Sequence, residues 1–102
     1  MTNYEIHIIE NTATNQAYVK YHYENRKGVS LRETHMWALK ELAKGSTKDY
    51  VDFVANSDYN DLQLIIKPVN GSDVYDAKRA KVDVMNRIEK QYGLQVINPK
   101  RG

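Results

Sequence analysis

The chain has 102 residues, of which 41% are hydrophobic and 27% charged, and it contains no cysteine. This length suits one domain with one core, and the composition excludes a disordered chain, a disulfide scaffold and thiolate zinc sites. The balance of 15 basic against 13 acidic residues is too even for a dedicated nucleic-acid-binding domain. No apolar run could span a membrane, and the first residues lack signal-peptide features, so a cytoplasmic protein without membrane contact is expected.

Two runs rich in β-branched and aromatic residues open the chain, at 4–10 and 17–24, with a polar stretch at 11–16 between them. Such runs, joined by a short polar link, predict an antiparallel hairpin. Because side chains alternate across a strand, one face of the hairpin is expected to be mostly polar. That face would hold Glu5, His7, Ile9, Tyr18, Lys20 and His22.

A helix is predicted to follow a loop at 25–28. Ser30, three residues before Glu33, is a capping-box signature for the helix start, and Lys44 with Gly45 is typical of a helix end. Trp37 lies off the apolar stripe of this helix, so it is a candidate anchor for a partner, with a lone exposed apolar residue as the alternative. The stripe itself comprises Leu31, His35, Ala38, Leu39 and Leu42.

A shorter helix and a third strand are predicted in the middle of the chain. Ser46 or Thr47 would cap the helix, which includes residues 50–54. Residues 62–67 are rich in leucine and isoleucine and predict a strand, which Pro68 ends because proline cannot donate to a sheet ladder.

The longest helix is predicted to begin at Ser72 or Asp73 and to end at Gly93. Residues 94–98 form a short extended segment and a candidate edge strand, and 99–102 are expected to be a flexible tail. The helix has a mostly apolar stripe of Val74, Ala77, Lys81, Val84, Met85 and Ile88. The expected fold is therefore α/β (α+β), one domain over 1–98, with a small three-stranded antiparallel sheet and β-β-α-α-β-α order.

Several segments resemble GIY-YIG nuclease domains. Residues 9–19 resemble the family's opening, in which an isoleucine and an asparagine close the first strand and a tyrosine begins the second signature. The arginine and histidine at 32 and 35, followed by residues 42–45, resemble the family's helix with its leucine-to-glycine ending. Asp76 early in the long helix and Asn98 after the last extended segment also resemble the family. The resemblance spans nearly the whole chain and implies a GIY-YIG-like fold.

The chain departs from the family at the positions that matter for catalysis. Glutamate and histidine at 5 and 7 stand where the first signature has glycine and tyrosine, and the second signature keeps its tyrosine but loses its glycine. Where the family has a metal-binding glutamate, this chain has Lys81, whose ammonium cannot bind a divalent metal. The resemblance therefore implies a catalytically impaired domain without a cofactor. Asp76 or Asp83 would hold magnesium if the carboxylate has shifted by a turn.

If the chain is active, the resemblance implies a role for each matched side chain. Tyr18 would act as a base or position water, and Arg32 would hold the scissile phosphate, with Arg26 as a rival. His7 would replace a tyrosine as the base, His35 would contact phosphate, and Asn98 would support the site. Each also has a structural alternative: a packing aromatic, a solvated arginine, a packing histidine or a turn residue.

The predicted function is a binding module, for nucleic acid or for a host nucleic-acid-processing protein, which would suit an inhibitor from a phage or another mobile element. One alternative is an active metal-dependent endonuclease, and another is a protein-binding inhibitor without affinity for nucleic acid. The central basic residues are candidates for phosphate contacts, with a mixed solvated surface as the alternative. The candidates are Lys20, Arg26, Lys27, Arg32, Lys40 and Lys44.

Overall fold

The computed structural model describes residues 4–23, 30–71 and 73–98. These residues form a small α+β domain with a four-stranded mixed sheet and three α-helices. The loop predicted at 25–28, with Arg26 and Lys27, lies outside the described residues, as do Ser72 and the tail. The strands are Tyr4–Asn11 (β1), Gln16–Tyr23 (β2), Leu62–Pro68 (β3) and Gln95–Val96 (β4), and the helices are Leu31–Ala43 (α1), Asp49–Asn56 (α2) and Val74–Tyr92 (α3).

The strand order is β3-β1-β2-β4, with β1 antiparallel to both β2 and β3. This confirms the predicted hairpin. The expected three-stranded antiparallel sheet is wrong in one respect, because β4 pairs in parallel with β2 and makes the sheet mixed. Two backbone bonds fix β4, from Gln95 N–H to the Asn15 carbonyl at 2.8 Å and from Ile97 N–H to the Ala17 carbonyl at 2.9 Å.

Helices cover both faces of the sheet, so the described chain has two apolar layers rather than the one core expected. β1 is one of the two inner strands, and its alternate residues face opposite layers. The first layer lies under α3 and includes Ile6, Ile8, Ala17, Val19, Ile88 and Val96. The second lies under α1 and α2 and includes Ile9, Ala38, Val51, Phe53, Val54 and Leu62.

Most helix ends are where local signals predict them. The Ser30 hydroxyl accepts from Glu33 N–H at 3.2 Å, and Gly45 after α1 has a φ of +90°. Asp73 caps α3 by accepting from Tyr75 N–H at 2.9 Å, and Gly93 ends it in the left-handed region. These contacts satisfy amide and carbonyl groups that a helix leaves unpaired at its ends.

The start of α2 differs from the prediction. Lys48 precedes the helix and makes no side-chain capping bond, so neither Ser46 nor Thr47 is the cap. Asp49 and Asp52 lie in the first turn, where carboxylates stabilise the positive end of the helix dipole. Charge at the helix start therefore replaces the hydroxyl cap that the sequence suggested.

The turn between β1 and β2 depends on Asn15, which has a φ of +56°. Alanine is strained in this left-handed region, whereas glycine adopts it freely. We expect Asn15→Ala to lower the free energy of unfolding by about 1 kcal/mol, and Asn15→Gly to change it by less than about 0.5 kcal/mol. Urea unfolding of both variants measures the difference, and equal stabilities would contradict this account of the turn.

Candidate functional site

The predicted polar face of the hairpin exists and lies on the side of α1 and α2. In the strand register, Glu5 is opposite His22, His7 is opposite Lys20, and Ile9 is opposite Tyr18. Directly opposite residues point to the same face of an antiparallel pair. The alternation therefore predicted the membership of this face correctly.

His7 is buried on this face, with only 1% of its surface exposed. Its Nε2 lies 3.1 Å from Glu5 Oε1, and its ring stacks on His22 with centroids 4.8 Å apart. Since a carboxylate only accepts, Nε2–H is the donor. Burial lowers the pKa of His7 against the opposing effect of the Glu5 hydrogen bond, and the nearby His22 and Lys20 lower it further. The imidazole is thus held neutral and away from solvent, in a structural position.

Tyr18 belongs to an aromatic cluster between β2, α1 and α2. Its ring centroid is 4.9 Å from that of Tyr50, which lies 6.0 Å from Trp37, and Lys20 Nζ sits 4.4 Å from the centre of the Tyr50 ring. Burial raises the pKa of Tyr18, and Asp49 raises it further. The phenol is therefore held in its protonated form, which disfavours a role as a general base.

The Tyr50 hydroxyl is buried and makes no hydrogen bond of acceptable geometry with a described residue. Burial raises the pKa of Tyr50, the neighbouring Tyr18 adds to the rise, and the Thr34 side chain only partly offsets it. The Lys20 ammonium therefore makes a cation-π contact with the neutral Tyr50 ring, and this contact lies within the protein.

Arg32 and His35 belong to a second cluster, which forms around Tyr59 and is separate from the aromatic cluster of Tyr18. His35 Nε2 donates to the Ser57 carbonyl at 3.2 Å, and its ring is 5.6 Å from Tyr59. The Arg32 guanidinium carbon is 5.5 Å from the centre of the same Tyr59 ring. His35 is half-buried, as the packing alternative predicted.

Asn98 is tied to the backbone of β2. Its Nδ2 donates to the Val19 carbonyl at 2.7 Å, and its Oδ1 accepts from Val19 N–H at 2.9 Å. With 5% of its surface exposed, the side-chain amide continues the ladder where β4 ends. The structure therefore gives Asn98 a role in holding the end of β4 to β2.

The candidate metal ligands lie on α3, which packs on the opposite face of the sheet from Tyr18 and His35. Asp76 pairs with Arg79 at 3.8 Å, and Asp83 is exposed. Lys81 is on the same helix. Across the three described stretches, no group of three histidine, aspartate or glutamate side chains is arranged to hold a metal ion. The structure therefore does not bring Asp76 or Asp83 to the other candidate catalytic residues.

The basic candidates in the described residues do not form one continuous patch. Lys20 lies over Tyr50, and Lys44 is 3.7 Å from Glu41. Arg32 and Lys40 are exposed on α1. The surface around them also carries Glu33, Asp49 and Asp52, which fits the mixed solvated surface better than a phosphate-binding stripe.

Helix α1 exposes three large apolar side chains, of which Met36 and Leu39 share one side and Trp37 lies on the side toward Tyr50. Trp37 is 43% exposed, as predicted, and Met36 and Leu39 are 51% and 45% exposed. The sequence predicts Leu39 in the apolar stripe, and its exposure shows that this placement is wrong; Met36 lies outside the predicted stripe. A sequence signal for this face exists, because Arg32, Met36, Leu39 and Ala43 recur at intervals of four, three and four residues. We call these four residues the α1 seam.

A polar cleft of about 410 Å³ lies between the end of the hairpin and α2. Asn11 lines it, but its amide is already used. Nδ2 donates to Ser57 Oγ at 3.1 Å, and Oδ1 accepts from Ala13 N–H and Thr14 N–H at 3.0 and 3.2 Å. These bonds fix the hairpin turn to the end of α2.

Comparison with protein-family models, with curated proteins and with solved structures gives no match to this chain. No helix in the described segments combines the length and apolarity needed to cross a membrane.

Proposed function

We propose that this protein is a non-catalytic binding module, a degenerate relative of GIY-YIG nucleases, and that the outward face of α1 is its contact surface. The proposed partner is a protein that processes nucleic acid, which the module would inhibit. Exposure of Met36, Trp37 and Leu39 together on one helix is the observation that carries the proposal.

The placement of the candidate catalytic residues supports a role without catalysis. His7 is buried and neutral, Tyr18 packs on Tyr50, and Asn98 is bonded to a backbone. A general base must reach the proton that it removes, within hydrogen-bond distance or through one water. These side chains are engaged in separate internal contacts, so they offer no shared position for a scissile phosphate.

The chemistry of α1 supports a protein partner over nucleic acid. Protein–DNA interfaces are polar and strongly positive, whereas α1 exposes Met36 and Leu39 side by side and Trp37 on an adjoining side. Tryptophan, methionine and arginine are enriched in protein–protein interfaces, and buried tryptophans often dominate the binding energy. Lys20, the basic candidate nearest the aromatic cluster, already lies against Tyr50.

Capture from a host-cell lysate treated with nuclease tests this proposal. We expect the immobilised protein to retain a partner protein, and Met36→Asp to lose it, because a carboxylate at the middle of an apolar contact is costly to bury. Val82→Asp on α3 is the matched control, since Val82 is 52% exposed, and it should retain the partner.

Three results would contradict the proposal. Capture that disappears with nuclease treatment would make nucleic acid the partner. Loss of capture in Val82→Asp but not in Met36→Asp would move the contact surface to α3. Cleavage of DNA with added magnesium or manganese, abolished by Arg32→Ala, would restore the nuclease alternative.

A further inference from the structure

We infer that the α1 seam docks an acidic amphipathic helix of the partner protein. This inference rests on the proposed function and adds the shape and charge of the segment that α1 recognises. Two observations carry it: the spacing of the exposed residues on α1 and the charges that flank them.

The spacing is that of a helix–helix contact. Arg32, Met36, Leu39 and Ala43 are all exposed, and intervals of three and four residues place them in one row along the helix. Rows of this kind form the contact line when two helices pack side by side. Ala43 is small, which lets a second helix approach at the end of the row. α1 thus has an exposed row of residues in addition to the buried one around Ala38.

The charges select an acidic partner. Arg32 and Lys40 are exposed on this face, and neither makes an ion pair with a described residue; Arg32 also lies over the Tyr59 ring, a contact that does not neutralise its charge. Lys44 follows one turn after Lys40, and its neighbour Glu41 is half-buried. With Glu41 paired to Lys44, Arg32 and Lys40 outnumber the exposed Glu33, so this row is bordered by a local excess of one positive charge within the mixed surface. Carboxylates that flank an apolar row on the partner would meet these cations in complementary positions.

The same charges disfavour a second copy of this chain. If two α1 helices packed in antiparallel orientation around Met36 and Leu39, Arg32 of one copy would lie near Lys44 of the other. Like charges in contact weaken an interface. A different chain that supplies carboxylates would pair with these cations, whereas a second copy of this chain would place like charges together.

Synthetic peptides test the inference directly. The first probe is a helix of roughly 18 residues, long enough to span the 13 residues of α1, with leucines at three- and four-residue spacing and flanking glutamates. The second has lysines in place of the glutamates. Anisotropy of labelled peptides should show that the acidic one binds at least about tenfold more tightly. Emission of Trp37, the single tryptophan of the chain, should change only with the peptide that binds.

Charge reversal gives the matched control. Arg32→Glu with Lys40→Glu should invert the preference between the two peptides. Arg79→Glu with Arg87→Glu, at the same eight-residue spacing on α3, should leave it unchanged. Equal binding of both peptides, or binding of neither by the folded protein, overturns the inference. So does tighter binding of a single-stranded DNA oligonucleotide than of the acidic peptide.

The two proposals fail in different ways. If the peptides do not bind but Met36→Asp still abolishes capture of a partner protein, α1 is a contact surface for something other than an acidic helix. If Met36→Asp leaves capture intact, the contact surface itself is wrong, whatever the peptides do.

Discussion

Replacement of Asn98 with alanine should lower the free energy of unfolding by about 2–3 kcal/mol, since one buried polar group left unpaired costs about 1–3 kcal/mol. The substitution removes both partners of Val19, which is fully buried. Its backbone N–H and C=O would face the place where β4 now ends, without a hydrogen bond. In thermal unfolding this corresponds to a fall in Tm of about 10 °C or more for a domain of this size.

Two further variants separate the role of the amide from general effects. Asn98→Asp can still accept from Val19 N–H, but its carboxylate would oppose the Val19 carbonyl, so it should be at least as destabilised as the alanine variant. Asn86→Ala removes an exposed asparagine on α3 and should change stability by less than about 0.5 kcal/mol. If Asn98→Ala is as stable as Asn86→Ala, the amide does not hold β4 to the sheet.

This result also bears on the GIY-YIG resemblance, which assigns Asn98 to a catalytic site. A structural asparagine affects stability first, whereas a supporting site residue would affect activity in a protein that remains fully folded. Measurement of stability before any activity therefore distinguishes the two roles of Asn98.

Local signals in the sequence predicted much of the fold. The alternation in β1 and β2 predicted which side chains share a face. Ser30, Asp73 and Gly93 marked helix ends because capping bonds form within a few residues of one another. Such features depend on neighbours along the chain, and the sequence contains all of the information they require.

Features that depend on distant contacts were missed. The sequence predicts a candidate edge strand at 94–98, and β4 confirms it, but its parallel pairing with β2 depends on bonds from Gln95, Ile97 and Asn98 to the hairpin. The burial of His7 was missed for a related reason. The alternation along a strand predicts which face of the sheet a histidine occupies, but it does not predict whether a helix covers that face.

For the α1 seam, the sequence contains the pattern but does not show which of two rows is exposed. The 3-4 spacing of Leu31, His35, Ala38 and Leu42 and the three-residue spacing of Met36 and Leu39 are both present in the sequence, and only the packing of α1 decides which row is buried. The two rows lie next to each other on the helix, so the spacing alone predicts Leu39 in the buried row. A helix with apolar residues on more than one side indicates a contact outside the domain only after its internal contacts are known.

The stability of the protein should fall as the pH is lowered below about 6.5, the pKa of histidine in an unfolded chain, and His7 should account for part of the fall. Burial lowers the pKa of folded His7 below that value. Between the two pKa values the unfolded chain binds more protons than the folded one, so protonation favours unfolding. The contribution of His7 is fully present above pH 6.5 and is lost toward lower pH, at up to about 1.4 kcal/mol per pH unit.

The charged groups around His7 set the size of this effect. Glu5 favours the imidazolium through its hydrogen bond, whereas His22 and Lys20 oppose it, and the residue opposite His7 on β3 is the uncharged Ile66. Urea unfolding at pH 7.5, 6.5 and 5.5 should show a smaller loss of stability in His7→Gln than in the wild type, because glutamine can still donate to Glu5 but does not titrate. His35→Gln removes a histidine from α1 and should keep the contribution of His7. If His7→Gln retains the full pH dependence of the wild type, the buried imidazole is not its source, and the titrating group must lie elsewhere in the chain.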